Sequence, residues 1–140
     1  MNIDLSQINY LAVFAAAAIF MGLGAFWYSP AGFLKPWVAA LGIDPEEMKK
    51  KSGHPAKMLG ATFISLLFIC FILAVLVQLT GSSTFFSGAL LGLMTSLGFA
   101  FTTQFINSMF EARPISLLLV NIGYAVVGFV QAGMLLSVWR

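Results

Sequence analysis

Polar side chains gather into a few short intervals of this sequence, and between them lie four uncharged apolar stretches, residues 8–28, 58–79, 85–110 and 115–139. Each exceeds the roughly 18 apolar residues that read as a membrane-crossing helix. Four such runs folded as a soluble core would leave almost no polar face for water. The expected fold class is therefore all-α: a polytopic membrane protein whose single domain, 1–140, has four transmembrane helices. A short interfacial and cytoplasmic helical connection, 29–57, joins the first two. Ser29-Pro30 closes the first span, Gly81 and then Ser82, Ser83 and Thr84 separate the second from the third, and Arg113-Pro114 opens the fourth. The two later connections are short, which predicts that spans two, three and four are antiparallel neighbours.

Within the connection, Phe33, Leu34, Trp37, Val38 and Leu41 recur at helical spacing, as in a short helix lying along the membrane. Asp44-Pro45-Glu46-Glu47 then supplies an N-cap, a first-turn proline and acids for a small solvated helix. Glu46 with Lys50 and Glu47 with Lys51 stand at the i, i+4 spacing of ion pairs.

Inside the spans the pattern is finer. Gly88, Gly92, Ser96, Ala100, Thr103 and Asn107 share one face of the third span, and Ala15, Ala18, Gly22, Ala25 and Ser29 share one face of the first. Small faces let backbones approach closely, so span one against span three is the first contact expected, with Gly22, Gly88, Gly92, Ser96 and Gly128 as helix-packing residues. Span four carries Asn121, Tyr124, Gly128 and Gln131 on one face. Folding it back on span three sets Asn121 level with Gln104, and Gln131 level with Thr95 and Ser96; hydrogen bonds there would each contribute roughly 0.5–2 kcal/mol. Span two is apolar around most of its circumference and is expected to be the lipid-facing helix.

Composition strengthens this reading. Of 140 residues, 60% are hydrophobic and only 9% charged, against roughly a quarter charged in soluble domains. A net charge of +2 without a basic stripe excludes nucleic acid as an expected partner. Membrane lipid is the expected environment. The positions of the charges then orient the chain: Lys35, Lys49, Lys50, Lys51, Lys57 and Arg113 lie on one side of the spans and only Arg140 on the other. By the positive-inside rule both termini face away from the cytoplasm of a cell inner membrane, and one fixed orientation favours parallel over inverted homo-oligomers. The N-terminus lacks a positive n-region, so the first span is expected to be retained.

Candidate chemistry is sparse. Cys70 and His54 are the sole residues of their kinds, so neither a disulfide nor a metal site is expected within the chain. No cofactor is implied. No acid or base lies deep in a span, which disfavours a proton-driven antiporter. No nucleophile, base and orienting partner can be assembled from spacing, so an enzyme is not expected.

Gly24-Ala25-Phe26-Trp27-Tyr28-Ser29-Pro30, followed by Phe33, Lys35 and Trp37, then Phe110-Glu111-Ala112-Arg113-Pro114 and Asn121-Ile122-Gly123-Tyr124, resembles a bacterial four-helix membrane family known only as a domain of unknown function. The likeness covers nearly the whole chain and implies fold and location, with no activity. Two positions depart from it: Leu34 replaces the usual glycine before the lysine, and Ala125 stands where a histidine is common. The motif residues fall at the expected cytoplasmic ends of spans one, three and four. Trp27, Tyr28, Ser29, Gln104, Asn107, Glu111, Arg113, Asn121, Tyr124 and Gln131 are accordingly the candidate ligand-binding residues. One reading is a polar cavity formed by the first, third and fourth helices that binds or passes a small solute or lipid headgroup. The other is a structural or accessory membrane protein that assembles through small-residue faces without transport.

Overall fold

The computed structural model describes residues 3–140, and among these it contains helices and no strand. The first span is α1 (Tyr10–Trp27), the connection folds as α2 (Leu34–Leu41) and α3 (Pro45–Lys51), and the second span is α4 (Pro55–Thr80). The third is one continuous rod made of α5 (Phe85–Thr95), a π-helical segment (Ser96–Phe101) and α6 (Thr102–Phe110); the fourth is α7 (Ile115–Val138). All four spans are long and apolar enough to cross a membrane. The chain is a multi-pass membrane protein.

Local chemistry fixes the ends. Asn9 caps α1 by accepting from Ala12 N, and Thr84 and Ser87 form a reciprocal capping box at α5. Gly81 ends α4 in the left-handed conformation, φ 68°, where only a residue without Cβ is unstrained. Ala112 holds φ 51° in the turn between α6 and α7 without that advantage. In α3 the cap is Asp44, as expected, but the ion pair that forms is Glu46–Lys49 at 4.0 Å instead of either i, i+4 pair. Both spacings place side chains on one face, and on an exposed helix the choice is nearly isoenergetic.

The packing partners differ from those expected. The third span lies against the fourth: Gly88 meets Gly133 and Ser137, and Gly92 meets the backbone of Phe129 and Val130. The first span lies against the second and fourth and makes little contact with the third. Its packing face is Ala12, Ala16, Ala17 and Phe20, with the Phe20 ring seated on Gly128. Gly22 has nothing within 4 Å of where a side chain would begin, so it packs against no other helix within the single bundle. A small-residue stripe shows that close approach is allowed but does not name the partner, and three spans carry one.

Spans two and three are consecutive yet barely touch beyond their turn. Nor is span two the helix most given to lipid. Leu66, Cys70, Leu73 and Val77 recur at steps of three and four and bury one face of α4 in the core with Ala12, Ala16, Ala132 and Leu136. Only 17% of the most apolar window of span three is buried, against 28% for span two and 39% for span four. Circumferential greasiness hid a buried stripe in α4, whereas α5–α6 relies on one glycine-lined edge.

At the end carrying the termini, Gln78 Nε2 donates to the Asp4 carbonyl at 3.0 Å, and the Arg140 guanidinium donates to the Ser82 carbonyl. These bonds tie the ends of α1, α4 and α7 together.

Candidate functional site

The opposite end of the bundle, where α2 and α3 connect the first two spans, holds most of the polar residues picked out from sequence. After α1 the chain turns sharply: Ser29 Oγ donates to the Phe26 carbonyl at 2.6 Å, and Phe33 N donates to the Trp27 carbonyl at 2.7 Å. Gly32 lies so close to those carbonyls that no side chain fits there. The turn sends α2 back onto α7, a docked position rather than a free interfacial one.

Docking brings Trp37 to Asn121. The Trp37 indole Nε1 donates to Asn121 Oδ1 at 3.1 Å, and the Tyr28 hydroxyl donates to the same oxygen at 2.9 Å. An indole N–H can only donate, so the amide orientation is forced: oxygen toward Trp37, Nδ2 away. Among the described residues no protein acceptor takes the two Nδ2 hydrogens. The surrounding rings pack edge to face, Tyr28 against Trp37 at 5.3 Å and against Tyr124 at 5.5 Å between centroids. Tyr124 OH donates to the Phe20 carbonyl at 3.3 Å.

Asn121 borders two pockets. The outer one, about 220 Å³, is lined by Gln104, Asn107, Ser108, Glu111, Arg113, Leu117, Leu118 and Asn121. Glu111 and Arg113 form an ion pair at its mouth. The side chains of Gln104 and Asn107 make no hydrogen bond within the protein among the described residues, so they keep both donors and acceptors free for a ligand or water. The inner pocket, about 420 Å³, is lined by Phe20, Tyr28, Leu66, Ile69, Ala100, Gln104, Asn121, Tyr124, Ala125 and Phe129. It draws on all four spans, where the first, third and fourth alone were expected. Gln104 and Asn121 are walls of both pockets. Ala125 occupies the position at which the resemblance suggests histidine, and here it contributes space instead of an imidazole.

Of the ten candidate residues, Tyr28, Gln104, Asn107, Glu111, Arg113, Asn121 and Tyr124 are brought together around these pockets. Trp27, Ser29 and Gln131 are not. Trp27 Nε1 donates to the Val120 carbonyl at 3.0 Å and its ring lies against Phe33 and Gly123. Ser29 closes its own turn. Gln131 Nε2 donates to the Ala16 carbonyl at 3.3 Å and so joins α7 to α1, while Thr95 and Ser96 hydroxyls donate within their own helix, to the Leu91 and Leu93 carbonyls. Sequence reasoning missed the apolar walls Phe20, Leu66, Ile69 and Phe129, and it missed one hydrogen-bonding residue, Trp37, read there as part of a helix lying along the membrane. Its place in the Phe33, Lys35, Trp37 motif was the available signal.

No cluster of three or more metal-ligating side chains occurs among the described residues. A third, smaller pocket of about 130 Å³ sits at the termini end beside Gln78, Trp139 and Arg140.

No curated protein and no solved structure matches this chain. One family does, described as a protein of unknown function (DUF1761), over residues 11–137, a stretch that takes in all but the outermost residue of the first and fourth spans and every wall of the inner and outer pockets. The chain is a member of that DUF1761 family of proteins of unknown function.

Proposed function

We propose that this protein binds a small molecule in the paired pockets at the α2–α3 end of the bundle, and that Asn121 is the group that orients it. The observation that carries this reading is the fixed amide. Two donors hold its oxygen, and its N–H groups are left for an acceptor at the boundary of two pockets, the larger of which falls within the roughly 300–1,000 Å³ of ordinary ligand sites. An amide donor left open at the boundary of two pockets is a point where a ligand oxygen or water gains a hydrogen bond.

Binding is favoured over passage. Beyond Phe20 and Phe129 the core continues through Ala16, Ala17, Leu73, Ala132 and Leu136, all apolar and buried. The charge bias supports a cytoplasmic pocket mouth with both termini on the opposite side. The pockets contain no nucleophile set beside a base, and we take the protein to be a binder, not an enzyme.

The test is native mass spectrometry of the protein released from nanodiscs. A bound small molecule should be carried by the wild type and by Gln131→Leu, and lost from Asn121→Leu. Equal retention by Asn121→Leu overturns the role of the amide.

A second reading rests on a different surface. Ala18, Gly22 and Ala25 lie exposed along α1, a small-residue face covered by nothing in the monomer. Self-association through this face would make the protein structural or accessory; Gly22→Leu should then abolish cross-linked oligomers, and unchanged cross-linking excludes it.

A further inference from the structure

The inner pocket has a wall missing. Leu66 and Ile69 of α4 form one side and Ala100 and Gln104 of the π–α6 half of span three form the other, yet α4 makes no sustained contact with that half of the span. The two helices separate from their turn at Ser82 and leave the pocket open sideways toward the bilayer. Its depth agrees. Asn121 and Phe129 lie about 9 Å and 21 Å from the start of α7 at 1.5 Å per residue, so the pocket runs from near the headgroups past the middle of a roughly 30 Å hydrocarbon layer.

Its chemistry changes along that depth. At the mouth stand Asn107, Gln104, Asn121 and the Glu111–Arg113 pair, which offer hydrogen bonds and no net charge. Deeper, the walls are Phe20, Leu66, Ile69, Ala100, Ala125 and Phe129. The unusual backbone coincides with the opening: Ala100 belongs to the six-residue π-helical segment, and such segments recur at functional sites.

Resting on the reading of this pocket as a binding site, we propose that its ligand is a bilayer amphiphile with an uncharged or zwitterionic, acceptor-bearing head and a single apolar chain. It enters sideways between α4 and α6. The head accepts from Asn121 Nδ2 at the mouth, and the chain fills the space between Phe20, Leu66 and Phe129. A water-soluble solute would leave that apolar volume unfilled, and a charged head would leave water for a mouth whose Glu111–Arg113 pair has no net charge to compensate it.

The test uses the full chain in phosphatidylcholine nanodiscs with a monoacylglycerol carrying a diazirine in mid-chain, and cross-linked positions read by peptide mass spectrometry. Labelling is expected at Leu66, Ile69, Ala100 and Phe129, displaced by unlabelled monoacylglycerol or lysophosphatidylcholine and not by a fatty acid. Ala125→Leu, which fills the pocket, should weaken this labelling roughly tenfold and leave that of lipid-facing Phe68 and Phe99 unchanged. Leu66→Phe fills it from the opposite wall and serves where Ala125→Leu does not fold. Labelling confined to Phe68, Phe99 and other outward positions overturns the proposal. In that event, protection of Asn107 and Arg113 peptides by glycerol or glycerophosphocholine keeps the binding site while removing the amphiphile; absence of both effects removes the two together.

Discussion

Replacing Gly92 by alanine should loosen the bundle, and the same change at Gly22 should not. At Gly92 the added carbon would come within 2.9 Å of Val130 Cα and closer still to the Phe129 carbonyl oxygen, where ordinary contacts are 3.4–4 Å. Both obstacles are backbone, so no side chain can swing aside. The α5 and α7 backbones must part, which loosens the neighbouring Gly88–Gly133 contact as well. Overpacking of this kind costs about 1–3 kcal/mol, and the better helix propensity of alanine returns at most about 1 kcal/mol. At Gly22 nothing lies within 4 Å, and only the propensity gain applies. Gly92→Ala should therefore be less stable than Gly22→Ala by about 1–3 kcal/mol. Reversible unfolding in mixed detergent–dodecyl sulfate micelles, followed by helix signal, measures the difference. Equal stabilities would refute the assignment of α5 against α7 as the close helix pair.

Other outcomes follow from single contacts. Trp37→Phe keeps the ring against Tyr28 but removes the donor to Asn121, and should cost about 0.5–1.5 kcal/mol in the same unfolding assay; no loss would mean that α2 docks without that bond. Gln131→Leu, which breaks the bond to the Ala16 carbonyl, should cost about 0.6 kcal/mol, the average found for interhelical bonds in lipid. Ala112→Gly relieves a left-handed alanine and should stabilise by up to about 1 kcal/mol, partly offset by the freer unfolded chain. A reporter fused after Arg140 that is active only in the cytoplasm should stay silent; activity would reverse the orientation inferred from the lysines.

The helices and their ends were legible because their signals are local. Gly81, Thr84, Asp44 and Pro114 act on backbone groups a few residues away, so their meaning survives without knowing the tertiary structure. Partner choice is not local. The glycine edge of α5 could have met the small faces of either α1 or α7; in the fold it meets α7, while α1 turns toward α4 and α7 with Phe20 seated on Gly128. The polar part of the site was visible for a similar reason, since carboxamides in apolar helices stand out. Phe20, Leu66, Ile69 and Phe129 were not: an apolar residue lining a pocket and one filling a core obey the same spacing. Trp37 was hidden by its amphipathic character, because a ring that anchors at headgroups and a ring that donates to a buried amide occupy the same place in a sequence.

Binding requires that the space between Asn121 and Phe129 be filled by a ligand and not closed by packing. A high-resolution density map of the protein in lipid nanodiscs tests this most directly. An elongated feature should begin within hydrogen-bond distance of Asn121 Nδ2 and run between Leu66 and Ala100, present in the wild type and absent from Ala125→Leu. Helices α4 and α6 in direct contact, with no density between them, would contradict it.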